Sequence, residues 1–133
     1  MERANFNEIL DVFETGTELN LGIFPNTNIV KYGYSFINNE FILYLHGAEK
    51  TDINKDYLKT NKSVNFNKYS SKGKMVSGDG NVTILETKEE KINGLKYIKK
   101  QQTKMGNEYN INENEIDDLL VFKISVENIY KIL

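Results

Sequence analysis

The chain has 133 residues, a net charge of −2, no cysteine and one histidine, with eight tyrosines and seven phenylalanines. At 39% hydrophobic and 27% charged residues it has the balance of a folded chain, long enough for one core, and reads as a single domain over residues 1–133. Thiolate metal sites, disulfides and thiol nucleophiles are excluded, and nucleic acid is disfavoured because the lysines alternate with glutamates and asparagines instead of forming a basic face.

No apolar run approaches the ~20 residues that span a bilayer. Met1-Glu2-Arg3-Ala4-Asn5-Phe6 lacks the apolar centre of a signal peptide, so the expectation is a cytoplasmic protein without membrane contact.

Phe6, Ile9, Leu10 and Phe13 recur at helical spacing, which predicts a short amphipathic helix over Asn5–Glu14, stopped by Gly16. Leu19, Leu21 and Ile23 alternate as in a strand, and Pro25-Asn26-Thr27-Asn28 reads as a turn. In the next strand Val30, Tyr32, Tyr34 and Phe36 share one face, with Lys31, Gly33 and Ser35 on the other. Asn38-Asn39 fits a two-residue hairpin turn. Phe41 to Leu45 is apolar nearly throughout, as in a strand covered on both sides.

Thr51 or Asp52 can cap a helix that buries Ile53, Tyr57 and Leu58. Val64 and Phe66 point inward from a strand over Ser63–Tyr69, and Ser70 to Lys74 is a polar loop. Met75 to Leu85 reads as strand interrupted by Gly78-Asp79-Gly80. Thr87-Lys88-Glu89-Glu90 matches a capping box ahead of a helix running to about Thr103. A polar stretch from Asn107 to Asp118 precedes the last strand, which holds Leu120, Phe122, Ile124 and Val126. Antiparallel strands with helices inserted form an α+β pattern, and about six strands at this length fit a small barrel or strongly curled sheet.

Motif chemistry is sparse. His46 has no Cys, Asp or Glu neighbours at metal-ligand spacing, so no metal site is expected; it either caps a strand end or touches a ligand. Gly78-Asp79-Gly80 lacks the third glycine and the following helix of a dinucleotide loop, and fits a bulge or close backbone packing. Asn112 to Asp118 lacks the order of a calcium loop. Lys88, Lys91, Lys99 and Lys100 read as solvated helix faces. Lys50, Lys55 and Lys74 fall near strand ends, beside Thr51 or Ser71, where a point charge and backbone N–H groups can meet a phosphate.

Tyr44-Leu45-His46-Gly47-Ala48, followed by Leu58-Lys59-Thr60-Asn61 and Val64-Asn65-Phe66, resembles the FMN-binding split-barrel family. The similarity is to the branch related to pyridoxamine 5′-phosphate oxidase that contains the nitroimidazole-resistance (Nim) reductases. Val76-Ser77-Gly78-Asp79-Gly80-Asn81-Val82, Glu86 to Lys91 and Leu120 to Ile129 match later motifs of that family in order. The resemblance implies an α+β antiparallel split β-barrel of about six strands with short helices. It further implies a homodimer with FMN in a groove at the subunit interface.

By position, Tyr32, Gly33, Tyr34 and Ser35 would line the flavin, and His46, Gly47 and Ala48 would follow the ring and ribitol. Lys50, Thr51 or Lys55, together with Lys74, would meet the phosphate. The implied activity is that of an FMN-dependent oxidoreductase on nitro-compounds or other small molecules. The alternative is a non-catalytic split-barrel protein binding deazaflavin or haem. The chain departs from the branch at Ser35 (usually Asn), at Gly73-Lys74-Met75 (often Tyr-Arg-Ser) and at the elbow, where Thr51 to Lys55 contains a one-residue shift. Lysine in place of arginine removes a bidentate phosphate fork.

Overall fold

Local signals start the two main helices where the sequence places them. In α1 (Phe6–Phe13) the Asn5 side chain accepts from the Glu8 backbone N–H, and the Glu8 carboxylate accepts from the Asn5 N–H. In α3 (Lys88–Lys104) Thr87 and Glu90 form the same reciprocal box. Each box satisfies two of the donors a helix leaves unpaired at its start. Gly16, with φ +93°, then turns the chain out of α1, a conformation that disfavours other residues. The computed structural model describes residues 2–23, 26–47, 55–60 and 62–132.

The strands are β1 (Glu2–Arg3), β2 (Glu18–Ile23), β3 (Asn26–Ile37), β4 (Glu40–His46), β5 (Ser63–Tyr69), β6 (Met75–Leu85) and β7 (Val121–Ile132). Two shorter helices, α2 (Lys55–Thr60) and α4 (Glu113–Ile116), lie between them. The sheet order is β1-β7-β4-β3-β2-β5-β6, and β6 also pairs with β7, so six antiparallel strands close a barrel. Strand β1 extends the far end of β7 beyond β4, pairing Arg3 with Tyr130. Lys131 secures that end by bonding Glu2 at 3.0 Å and Glu8 at 2.7 Å.

Turn chemistry sets the register. Asn38 and Asn39 have φ of 55° and 65°, the doubly left-handed geometry of a tight hairpin, and this aligns Tyr32 with Leu45 and Phe36 with Phe41. Strand β6 is continuous, with a register shift between Asp79 and Gly80. A Cβ on Gly78 would lie 2.5 Å from the Asn128 carbonyl oxygen, and one on Gly80 would lie 2.4 Å from that of Ser125. The glycines thus serve the bulge and close packing expected of them, and the strand is bent without being broken.

The barrel encloses one core and wears a second on its outside. Phe13, Tyr32, Phe41, Leu43, Leu45, Leu58, Phe66, Phe122 and Ile124 fill the interior. Phe13 meets the Tyr32, Phe41 and Phe66 rings edge-on at 5.0–6.2 Å between centroids. Alternation turns the other residues of β3 and β4 outward, and α3 covers them. Tyr44, Leu85, Leu95, Ile98, Tyr109, Ile116 and Val121 form this outer layer. Tyr44 stacks on Tyr97 of α3 with centroids 4.4 Å apart and planes 4° from parallel.

Three expectations need correction. Asn26 to Asn28 belong to β3 and pair with Leu21 to Ile23, so cross-strand pairing overrides their turn propensity. Lys91 is buried, and its Nζ donates to the carbonyls of Ile116 (3.2 Å) and Asp117 (2.9 Å), tying α3 to the end of α4. The polar Asn107–Asp118 stretch holds one helical turn, α4, and is not wholly solvated, since Tyr109 and Ile116 lie in the outer core. The caps Thr51 and Asp52 lie outside the described residues. No helix among the described residues is long and apolar enough to cross a membrane.

Candidate functional site

Strand β4 delivers His46 to the end of the barrel where β4, β6 and β7 meet: His46 pairs with Val121, and Val121 with Leu85. Odd-numbered residues of β4 face the interior, so His46, like Ile42 and Tyr44, faces the outer layer. There its ring lies 5.6 Å, centroid to centroid, from the ring of Tyr109. Gly47 is buried, and its N–H donates to the Leu120 carbonyl at 2.9 Å, which anchors the chain just past the strand.

His46 Nδ1 lies 3.4 Å from the Gly47 carbonyl oxygen, an acceptor only, which assigns the proton to Nδ1 and leaves Nε2 as the bare nitrogen. Nε2 is buried without a partner, as is the Tyr109 hydroxyl. Burial pushes the His46 pKa down; the Gly47 bond opposes this, and the Lys31 charge adds to it. Burial pushes the Tyr109 phenol well up. Lys31 Nζ stands 5.9 Å from the Tyr109 ring centroid. The pair is therefore a neutral imidazole beside a neutral phenol. Native proteins pair nearly all their buried polar atoms, so two orphans on adjacent rings call for an explanation.

The β3 residues divide between two structural tasks. Tyr32 is fully buried, and its hydroxyl donates to the carbonyls of Phe13 (2.6 Å), Thr15 (3.2 Å) and Gly16 (3.3 Å). It ties the α1–β2 turn to the barrel and presents no free group to a ligand. Gly33 passes directly beneath α3: a Cβ there would lie 2.2 Å from the Tyr97 carbonyl carbon. Ser35 is buried under the same helix, its Oγ 3.5 Å from the Tyr44 hydroxyl. Tyr34 is half-buried, and burial raises its pKa. It opens, with Phe6, Phe36, Tyr97, Lys100 and Lys104, onto a cleft of about 550 Å³ between α1 and α3. Because β3 and β4 are antiparallel, that cleft is at the opposite end of the hairpin from His46.

Lys74 also lies far from His46. It borders the start of β6 and shares a cleft of about 250 Å³ with Glu8, Asp11, Val12 and Lys131. Its positive field helps to hold the Glu8 carboxyl below the usual range, after the larger effects of Lys131 and the Asn5 backbone bond. From Met75 to Leu85 the strand covers a path of about 33 Å at ~3.3 Å per residue. Lys74 thus stands at the far end of β6 from Leu85, whose partner Val121 pairs with His46. Lys55 opens α2, but its side chain, like Ala48, Lys50 and Thr51, lies outside the described residues. Among the described residues no group of three His, Asp or Glu side chains is placed to hold a metal.

Tyr109 and Lys31 are the residues at this end that sequence reasoning missed. The available signal was a single aromatic ring within the polar run from Asn107 to Asn114, where solvation alone would not require one.

Among solved structures, a candidate 5-nitroimidazole antibiotic resistance protein from Bacteroides thetaiotaomicron matches with a TM-score of 0.67 at 18% identity, over 97% of this chain and 84% of that one. A candidate pyridoxamine 5′-phosphate oxidase from Listeria innocua matches with a TM-score of 0.65 at 17% identity, over 95% and 96%. A flavocytochrome from Azotobacter vinelandii matches with a TM-score of 0.70 at 12% identity, over 98% and 68%. No family model matches the sequence, and neither does any curated protein. Likeness at these identities establishes architecture, and the architecture is the one the motif succession pointed to. The chain is a split β-barrel built like Nim-like and pyridoxamine 5′-phosphate oxidase-like proteins.

Proposed function

We propose that this protein binds FMN as a cytoplasmic homodimer and acts as an FMN-dependent oxidoreductase on small molecules, nitro-compounds among them. The observation that carries this reading is the coincidence of two independent lines along the whole described chain. The motif order resembles the flavin family, and the fold is that of proteins that include a flavocytochrome. Function is not contained in a fold, so the reading stands on the site as well.

The residues at the end of β4 fit such a group. Orphaned His46 Nε2 and Tyr109 Oη would gain partners from a ligand carrying polar ring atoms, and the surrounding apolar layer excludes water. When bound, the flavin supplies the hydride or electron transfer, while the chain positions it and excludes competing reactions. His46 stays neutral there, held by the Gly47 carbonyl, and offers an acceptor in place of a charge. Lys74 lies at the far end of β6 from the His46 end, and in the proposed dimer a second copy would bring its Lys74 to this end.

Titration with FMN, followed by flavin fluorescence and visible absorbance, tests the reading; a protein indifferent to FMN would overturn it. Light scattering tests the dimer, and a stable monomer would remove Lys74 from the site. Lys74→Glu is expected to weaken FMN uptake, and unchanged affinity would leave the phosphate to other groups.

A further inference from the structure

We infer that His46 and Tyr109 together read a donor–acceptor edge of the ligand, an N–H beside a C=O, such as the pyrimidine edge of a flavin. The inference rests on the flavin reading above and adds to it the pair of residues that would select the ring.

Geometry and hydrogen-bond capacity support it jointly. The Gly47 carbonyl accepts from Nδ1–H, so Nε2 of the neutral ring can only accept. The Tyr109 hydroxyl has a proton to give and no acceptor within the protein. The two rings are neighbours, 5.6 Å between centroids, and together offer one acceptor and one donor, the complement of an N–H beside a C=O. Neither atom exposes as much as 1 Å², and Tyr109 as a whole is 9% exposed. A solvated pair would satisfy itself with bulk water and lose nothing, whereas a buried orphaned pair gains the full value of a matching partner. Lys31, with its Nζ 5.9 Å from the Tyr109 ring centroid, places a positive group at the border of the pair.

Access comes through the segment that carries Tyr109. Residues 107–112 form neither helix nor strand and follow Gly106, whose φ is +84°. A cavity of about 180 Å³, lined by Tyr109, Asn110, Ile111 and α3 residues, lies against that segment and gives it room to shift. Tyr109 then closes on the ligand edge as it now closes on His46. Phenol and imidazole act here in recognition, and no proton transfer is assigned to them.

The test is a set of binding titrations with FMN and with FMN methylated at N3, which cannot donate from that edge. The wild-type protein is expected to bind FMN roughly fivefold to tenfold tighter than the N3-methyl analogue, the worth of one hydrogen bond. Tyr109→Phe is expected to lose a similar factor toward FMN, and His46→Leu is expected to abolish the discrimination between the two flavins. Equal affinity of the wild-type protein for both flavins, or an unaltered FMN affinity in Tyr109→Phe, overturns the edge-reading pair and leaves the flavin reading standing. No binding of either flavin by the wild-type protein overturns the flavin reading and this inference with it. Melting temperature supplies a readout independent of ligand. Tyr109→Phe in the free protein is expected to melt at the same temperature or higher, since it deletes an unpartnered buried hydroxyl. A clear fall would show the hydroxyl to be engaged within the fold, which also overturns the inference.

Discussion

The barrel interior and the layer outside it are both apolar, yet the donors around the turn at 13–17 are almost all paired, while two polar atoms of the outer layer, on His46 and Tyr109, are not. Inside, the Tyr32 hydroxyl meets three carbonyls, and Lys68 Nζ donates to Thr15 (2.8 Å) and Tyr69 (3.1 Å). From α3, Gln101 Nε2 bonds Glu14 and Gly16, and Gln102 Nε2 bonds Thr17. The carbonyls of one short turn, 13–17, thus collect donors from β3, β5 and α3, while the buried Thr15 Oγ1 is without a partner. In the outer layer His46 and Tyr109 have complementary groups and leave both unused. Polar groups that are satisfied hold a fold together; those left unsatisfied cost stability unless a partner arrives from elsewhere.

The comparison can be broken most forcefully at its packing. Phe13→Ala removes a ring of 0% exposure that touches four interior aromatic rings, and it is expected to cost about 3–5 kcal/mol in urea unfolding. A cost below ~1 kcal/mol would mean that the interior is not the main source of stability. In the outer layer, Gly33→Ala forces a methyl against the α3 backbone and is expected to cost about 1–3 kcal/mol, with faster amide exchange in α3. Exchange unchanged from wild type would contradict the close approach of β3 and α3.

Matched hydroxyl deletions sharpen the contrast. Tyr32→Phe leaves buried carbonyls short of a donor and is expected to destabilise by about 1–2 kcal/mol, whereas Tyr109→Phe is expected to stay within ~0.5 kcal/mol or to stabilise. Equal costs would erase the difference between the two regions.

Lysine 68 gives a pH test of the interior. Burial lowers its ammonium pKa to about 8, below that of an unfolded lysine. Between those two values the unfolded chain holds a proton that the folded chain has released, so stability rises as pH climbs through the window. The gain is on the order of 1–3 kcal/mol. Above pH ~10 the trend reverses, because burial raises the Tyr32 and Tyr109 phenols and the unfolded tyrosines ionise first. Urea midpoints measured from pH ~7 to ~10 should show the rise, and Lys68→Met should flatten it. A rise that persists in the variant would assign it to other groups.

The smallest effect is at His46. Its pKa is lowered, so its contribution to stability is fully present above the unfolded value of ~6.5 and is lost as pH falls from there through the lower folded value. As the sole histidine its ring resonances are unambiguous in NMR, and a titration midpoint at or above ~6.5 would contradict its burial beside Tyr109.

Much of the architecture was legible in the sequence because it depends on neighbours along the chain. The Asn5–Glu8 and Thr87–Glu90 boxes, the Asn38-Asn39 hairpin and the alternation of β3 and β4 are short-range effects, and each appears where the pattern placed it. The order of motifs, being a property of the whole chain, also pointed to the split barrel. The exceptions share a cause. Lys91 reads as a solvated residue until the distant carbonyls of Ile116 and Asp117 compensate its burial. Asn26 to Asn28 look like a turn until β2 pairs with them.

The candidate site follows the same division. Sequence alone determined that His46 ends a strand, because alternation and the glycine after it are local, and that no metal cluster of cysteines exists. Closure of the barrel decided the rest. It put Lys74 and His46 at opposite ends of β6, since strand pairing converts ten residues of separation into length. It also spent Tyr32 and Gly33 on packing, since both faces of β3 are covered. Finally, it brought Tyr109 from beyond α3 to the ring of His46, a contact across more than sixty residues of chain that no local pattern encodes, because it is set by where the helix lands on the barrel.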